Sequence, residues 1–159
     1  ATSRAILAGL PREPRFETIQ TMAAKQDSIA AGLDWLLEWQ DHVHADQFSD
    51  AISGLNEYFS VDTTESIDAL LERIPKLPIH RRDYLVHSAF WNLVKIDPQL
   101  AVDRFATLKA PDVIEEAARV TAEEWWSKDA EAAMQWVSEL EPTLREKTLS
   151  SQRTKWQTQ

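Results

Sequence analysis

Apolar side chains in this chain fall at helical intervals. In "VIEEAARVTAEEWW", residues 113–126, Val113, Ile114, Ala117, Val120, Thr121 and Trp125 lie near one face of a helix. In "RRDYLVHSAFWNLVKI", residues 81–96, Tyr84, His87, Trp91 and Val94 share one stripe, with Leu85, Ala89 and Ile96 beside it. Both patterns predict amphipathic helices that bury one face against a neighbour.

The helical blocks repeat. Four segments align on an aspartate: "DSIAAGLDWLLEW" from Asp27, "DTTESIDALLERIP" from Asp62, "DPQLAVDRFATLKAP" from Asp97 and "DAEAAMQWVSELEP" from Asp129, at spacings of 35, 35 and 32 residues. Four positions on stand Ala31, Ser66, Ala101 and Ala133, and eight positions on stand Trp35, Leu70, Phe105 and Val137. Three units close on Pro75, Pro111 and Pro142, and Pro11 follows the similar fragment "AILAGLP". Each unit reads as a helix hairpin. The aspartate accepts the free N–H groups of the first turn, and the proline marks the boundary with the second helix. Asp62 with Glu65, Asp112 with Glu115 and Thr143 with Glu146 have the spacing of capping boxes. Pro98, after Asp97, suits a first helical position.

A hairpin of this size leaves an apolar face open, so stacking of hairpins must supply the core. The expectation is an all-α, right-handed α-solenoid of about four helix-hairpin repeats, forming one domain over residues 1–159. Trp156 falls where a next unit would carry an aromatic, and neither end shows the polar capping repeat of a closed solenoid. These residues are therefore expected to belong to a longer array. Paired helices, the 32–35-residue period, the small residues of the first helix and "DP" at 97–98 resemble the tetratricopeptide-like and related α-solenoid superfamily. The chain lacks the Leu-Gly pair of the tetratricopeptide first helix and carries prolines between helices, so no subfamily is assigned. The resemblance implies a surface that holds another protein or peptide.

Composition narrows the partner. The formal charge is −9, with basic residues scattered and the longest basic run only "HRR" at 80–82. Binding to phosphates needs clustered lysine and arginine, so no nucleic acid is expected, and the RNA-reading pentatricopeptide branch is disfavoured. No apolar run approaches the roughly 18 residues of a membrane-spanning helix, so no membrane insertion is expected. There is no cysteine, which excludes disulfides, thiolate metal sites and cysteine nucleophiles. A cleaved export signal would leave no trace, so the compartment stays open.

"HVHAD", residues 42–46, has the opening of a metal-hydrolase signature. It occupies the link between the two helices of its unit, however, and Gln47 stands where a further histidine belongs. It reads as a polar connector with Asp46 as an N-cap, and no metal or other cofactor is expected. With His80 in the equivalent link of the next unit, a histidine-lined edge is the nearest metal-binding alternative. His87 reads as a partly buried packing residue of the Tyr84–Trp91 stripe. Glu115, Glu116, Glu123 and Glu124 read as a solvated helix face.

Among the seven tryptophans, Trp125 and Trp126 are adjacent and must point apart. Aromatic anchors dominate binding energetics, and Trp125, Trp126 and Trp136 are the candidate binding residues. The expected function is a non-catalytic protein- or peptide-binding scaffold, not an enzyme, with a neutral or basic partner held by aromatic and aliphatic anchors in an acidic rim. One alternative is small-molecule or glycan binding on exposed tryptophans. Another is a metal-dependent hydrolase using His42, His44 and Asp46, or a base at His87 beside a glutamate.

Overall fold

A computed structural model of the chain describes residues 9, 12–59, 63–77, 79 and 82–156; for 12–15, 45–46, 49, 56–59 and 152–156 it describes the backbone alone. The fold is all-α, with nine α-helices and no strand among the described residues. It divides into two compact units, Ala1–Arg81 and Arg82–Gln159. The first holds α1 (Arg12–Ala24), α2 (Ile29–Trp39), α3 (Ala45–Phe59) and α4 (Thr64–Arg73), with 3-10 turns at Gln40–His42 and Ile74–Lys76. The second holds α5 (Arg82–Ile96), α6 (Pro98–Phe105), α7 (Pro111–Trp126), α8 (Ala130–Glu139) and α9 (Pro142–Trp156). No described helix is long and apolar enough to cross a membrane.

Capping follows the predicted logic with a shift of one residue in the first unit. Asp97 and Asp129 accept bonds from the backbone N–H groups of Gln99 and Ala132 at 2.9 and 3.0 Å. Pro98 takes the first helical position. Asp27 does not cap α2, because Ser28 is itself extended and its hydroxyl accepts the Ala31 N–H at 3.2 Å. Thr63 caps α4 in the same way from the Ser66 N–H; Asp62, and with it the Asp62–Glu65 box, lies outside the described residues. Counted from these caps, the fourth position is Gly32, Ile67, Ala101 and Ala133, and all four are buried. Ala31, Ser66 and Trp35, expected inside from the aspartate register, are only half-buried.

The other predicted boxes are replaced. Pro111 and Pro142 open α7 and α9 instead of closing the helices before them. Ala110 caps α7 without a side-chain bond. Asp112 instead meets Arg82 at 3.0 Å, and Glu115 meets Lys147 at 2.6 Å. At α9 the Glu141 carboxylate, not the Thr143–Glu146 pair, accepts the N–H groups of Thr143 and Leu144 at 3.1 and 3.2 Å.

Inside the first unit, α1 packs on α2 and α3, and α2 packs on α3 and α4. Inside the second, α5 packs on α6 and α7, α7 also on α6, α8 and α9, and α8 on α9. The cores follow the apolar stripes: Ile19, Leu36, Phe48, Ile52, Leu55 and Leu70 in the first unit, and Leu85, Phe90, Leu93, Val120 and Val137 in the second, are each at most 1–2% exposed. Burying each such side chain contributes about 1.5–3 kcal/mol. Polar ties add direction. The Trp35 indole N–H donates to the Ile19 carbonyl at 3.1 Å, joining α2 to α1. The Arg73 guanidinium grips Asp34 at 2.9 and 2.7 Å, joining α4 to α2.

Gly32 sets the distance between three helices. A Cβ there would stand 3.0 Å from the Ala23 carbonyl of α1 and 3.2 Å from Leu55 Cδ2 of α3. Helix propensity favours alanine over glycine by about 1 kcal/mol, but backbone on one side and a fully buried leucine on the other leave little room to yield. Overpacking costs about 1–3 kcal/mol. Gly32→Ala is therefore expected to destabilise the protein, by about 1–2 kcal/mol in urea unfolding followed by circular dichroism.

The Glu141 cap generates a pH dependence. The Thr143 N–H and then the Leu144 N–H favour the charged carboxylate and hold it below its usual range. A depressed folded-state value adds stability above the ordinary carboxylate range, and that stability is lost as the pH falls through the folded value. Glu141→Gln is expected to lower the melting midpoint slightly at neutral pH. The deficit should close as wild type and variant are melted at progressively lower pH.

Candidate functional site

The three candidate tryptophans arise from two helices of the second unit. Trp125 and Trp126 end α7, and successive side chains on a helix diverge by about 100°. Trp136 lies on the inner face of α8. Its ring is 5.4 Å from that of Phe105, edge to face at 85°, and 6.3 Å from that of Trp125. Together with Ala118, Ala122 and Val137 it forms the core between α7 and α8, with Trp125, Leu140 and Leu144 packed around it. Trp136 is only 7% exposed. Its ring therefore supports the wall that carries Trp125 and has almost no surface of its own for a ligand. Trp125 and Trp126 are both half-buried.

The remaining described tryptophans divide in a similar way. Trp39 is 2% exposed, with Trp35 at 5.9 Å on one side and the His42 ring at 5.2 Å on another. Trp91 is half-buried on α5 and carries the Lys95 ammonium 3.3 Å above its ring. Tyr84 of the same stripe is 52% exposed. The stripe of Tyr84, His87 and Trp91 thus lies on the outer side of α5, and Leu85, Val86, Ala89, Phe90, Leu93 and Val94 form its core face.

His87 is half-buried on α5, as expected, but its ring edge meets charged groups. Its side chain is 46% exposed, and its Nδ1 lies 3.4 Å from an Arg119 nitrogen and 3.8 Å from a Glu116 oxygen. Arg119 organises this patch. It donates to both Glu116 oxygens at 2.7 and 2.5 Å and to Glu123 at 3.1 Å. The Glu116 hydrogen bond holds the guanidinium above its ordinary value, so it stays charged. Glu116 and Glu123 are 17% and 23% exposed, so they are neutralised partners of an arginine and not the solvated face expected of them. Glu115, half exposed and tied to Lys147 across to α9, is nearer that expectation.

The "HVHAD" link forms the 3-10 turn and the start of α3. Asp46 lies inside the first turn of α3, not at its cap. The cap position belongs to His44, whose backbone N–H donates to Gln47 Oε1 at 3.3 Å, the return bond of a capping box. Gln47, the residue that departs from a hydrolase signature, is there for the helix start. Asp41, His42, His44 and Gln47 line a shallow cleft of about 130 Å³. Among the described residues no three histidine, aspartate or glutamate side chains come together as metal ligands. The Asp46 side chain and His80 lie outside the described residues.

Comparison of the chain with family models, curated proteins and solved structures finds no match. The features that sequence reasoning missed are the Arg119 network and a groove between α1 and α3. The first had a signal, since Glu116, Arg119 and Glu123 stand at i, i+3 and i+7 on one helix. The second had none, because a groove is a property of two helices together.

The two classes of tryptophan should separate on substitution. Trp136→Ala is expected to cost about 3–5 kcal/mol through the cavity it leaves. Trp126→Ala should cost about 1–2 kcal/mol, because that ring is only half withdrawn from water. Chemical unfolding of both variants checks the order.

Proposed function

We propose that this chain is a non-catalytic scaffold, an α-solenoid of about four stacked helical hairpins that holds a protein or peptide partner. The observation that supports the reading is the packing within each unit, where α2 lies against α1, α3 and α4, and α7 against α5, α6, α8 and α9. Such neighbour packing is compatible with stacked hairpins, which in tetratricopeptide-like arrays present extended binding surfaces. Two further features support it. Trp125 and Trp126 remain half-buried at the end of α7, a suitable state for aromatic anchors, with Trp136 as the core support beneath Trp125. The net charge of −9 favours a basic or neutral partner over nucleic acid or an anionic membrane.

The test is capture of partners from native lysate with and without chelator, followed by calorimetric titration of the recovered protein. A partner retained in chelator is expected, with affinity that falls as salt rises. Trp126→Ala should weaken it at least about tenfold while leaving the circular dichroism spectrum unchanged. Loss of capture in chelator would transfer the case to a metal at His42 and His44. Failure to recover any specific protein would end the scaffold reading.

A further inference from the structure

Three helix ends of the second unit meet at two consecutive residues, Lys128 and Asp129. The Trp125 carbonyl, in the last turn of α7, accepts the backbone N–H groups of Lys128 and Asp129 at 2.9 and 2.8 Å. The Asp129 carboxylate opens α8 by accepting the Ala132 N–H at 3.0 Å. The Lys128 ammonium reaches α5 and donates to the carbonyls of Val94 and Lys95 at 2.6 and 3.2 Å. Lys128 thus holds the end of α7 through its main chain and the end of α5 through its side chain.

Those two carbonyls need an outside donor because of the chain that follows them. Within a helix each would accept the N–H four residues on. For Val94 that residue is Pro98, which has no N–H. For Lys95 it is Gln99, whose N–H is taken by the Asp97 carboxylate at 2.9 Å. The cap and the proline that start α6 therefore strip the end of α5 of its donors. An ammonium carries three N–H donors and no acceptor, so one lysine serves both carbonyls, and its charge suits a helix C-terminus. The main-chain bonds after α7 would form with other residues at position 128. The tie to α5 needs a long side chain with donors at its tip.

Trp125 and Trp126 are the last two residues of α7 and lie immediately before this junction. The Trp125 ring has Trp136 of α8 at 6.3 Å, and its carbonyl is the one that holds Lys128 and Asp129. We propose that Lys128 is a positioning residue for the aromatic surface at the end of α7. Its ammonium ties the α7–α8 link to α5, and that tie sets the direction in which Trp125 and Trp126 present their rings. The inference rests on the reading of those two tryptophans as docking anchors.

The experiment is ¹⁹F NMR of the whole 159-residue chain carrying 5-fluorotryptophan, with signals assigned by single Trp→Phe replacements. Lys128 is exposed, so its variants keep the helical circular dichroism spectrum. Lys128→Met, which keeps the stem and loses the donors, should shift and broaden the Trp125 and Trp126 signals. Trp35 and Trp39 of the first unit should keep theirs. Lys128→Arg, which keeps charge and donors, should restore the wild-type positions. Lys95→Met removes the cation above Trp91 and should move that signal while leaving Trp126 in place. The proposal is overturned if Lys128→Met leaves Trp125 and Trp126 unmoved, if Lys128→Arg disturbs them as much, or if Lys95→Met moves Trp126 equally. Binding of the captured partner by Trp126→Ala tests the docking reading separately: unchanged affinity there counts against the anchors, and an unchanged fluorine spectrum counts against Lys128.

Discussion

Helices of eight to sixteen residues, the range found here, do not hold together in water on their own. Each depends on the apolar face it shares with its neighbours, and the closeness of that contact decides how much it is worth. Gly32 is where the dependence is most visible. By giving up a side chain it lets α2 lie against the backbone of α1 and the buried Leu55 of α3. The equivalent positions Ala101 and Ala133 are also small, and both are fully or almost fully buried. At three of the four equivalent positions a small residue lets neighbouring helices approach closely, and at the fourth the larger Ile67 is fully buried instead.

Charges act on top of this frame and do not create it. The pair of Arg73 with Asp34 has fork geometry, and the arginine is 13% exposed, but Asp34 remains 52% exposed. Pairs open to solvent on one side contribute about 0–1 kcal/mol. Their value lies in register, because a bidentate contact is satisfied at one offset of α4 along α2. Arg119 of the second unit instead pairs within its own helix. It bridges two carboxylates about two turns apart on α7, and its charge reaches the edge of His87 on α5.

The helical class was legible because apolar spacing and proline punctuation act locally. The caps were legible in kind, but their register was not. "DS" at 27–28 and "DT" at 62–63 each offer two residues able to cap, and which one does so depends on where the helix must bury its face. The chain gives that place to Ser28 and Thr63, which brings Gly32 and Ile67 inward. The same limit explains the tryptophans. Adjacency showed that Trp125 and Trp126 diverge, but the burial of Trp136 depends on Phe105 reaching it from another helix. The outward turn of the Tyr84–Trp91 stripe was hidden for a related reason: α5 carries two apolar faces, and only packing chooses between them. "HVHAD" shows the converse, where Gln47 was visible as a departure from a metal signature and the structure gives it a capping task.

Lys128 draws together parts of the second unit that are far apart in sequence. Its ammonium, in the link between α7 and α8, donates to the carbonyls of Val94 and Lys95 at 2.6 and 3.2 Å, the otherwise unsatisfied end of α5. A positive charge at a helix C-terminus also opposes the helix dipole. The last turn of α5 is thereby closed by a residue more than thirty positions downstream. Opening either place breaks this contact, so the end of α5 and the α7–α8 link each gain protection from the other.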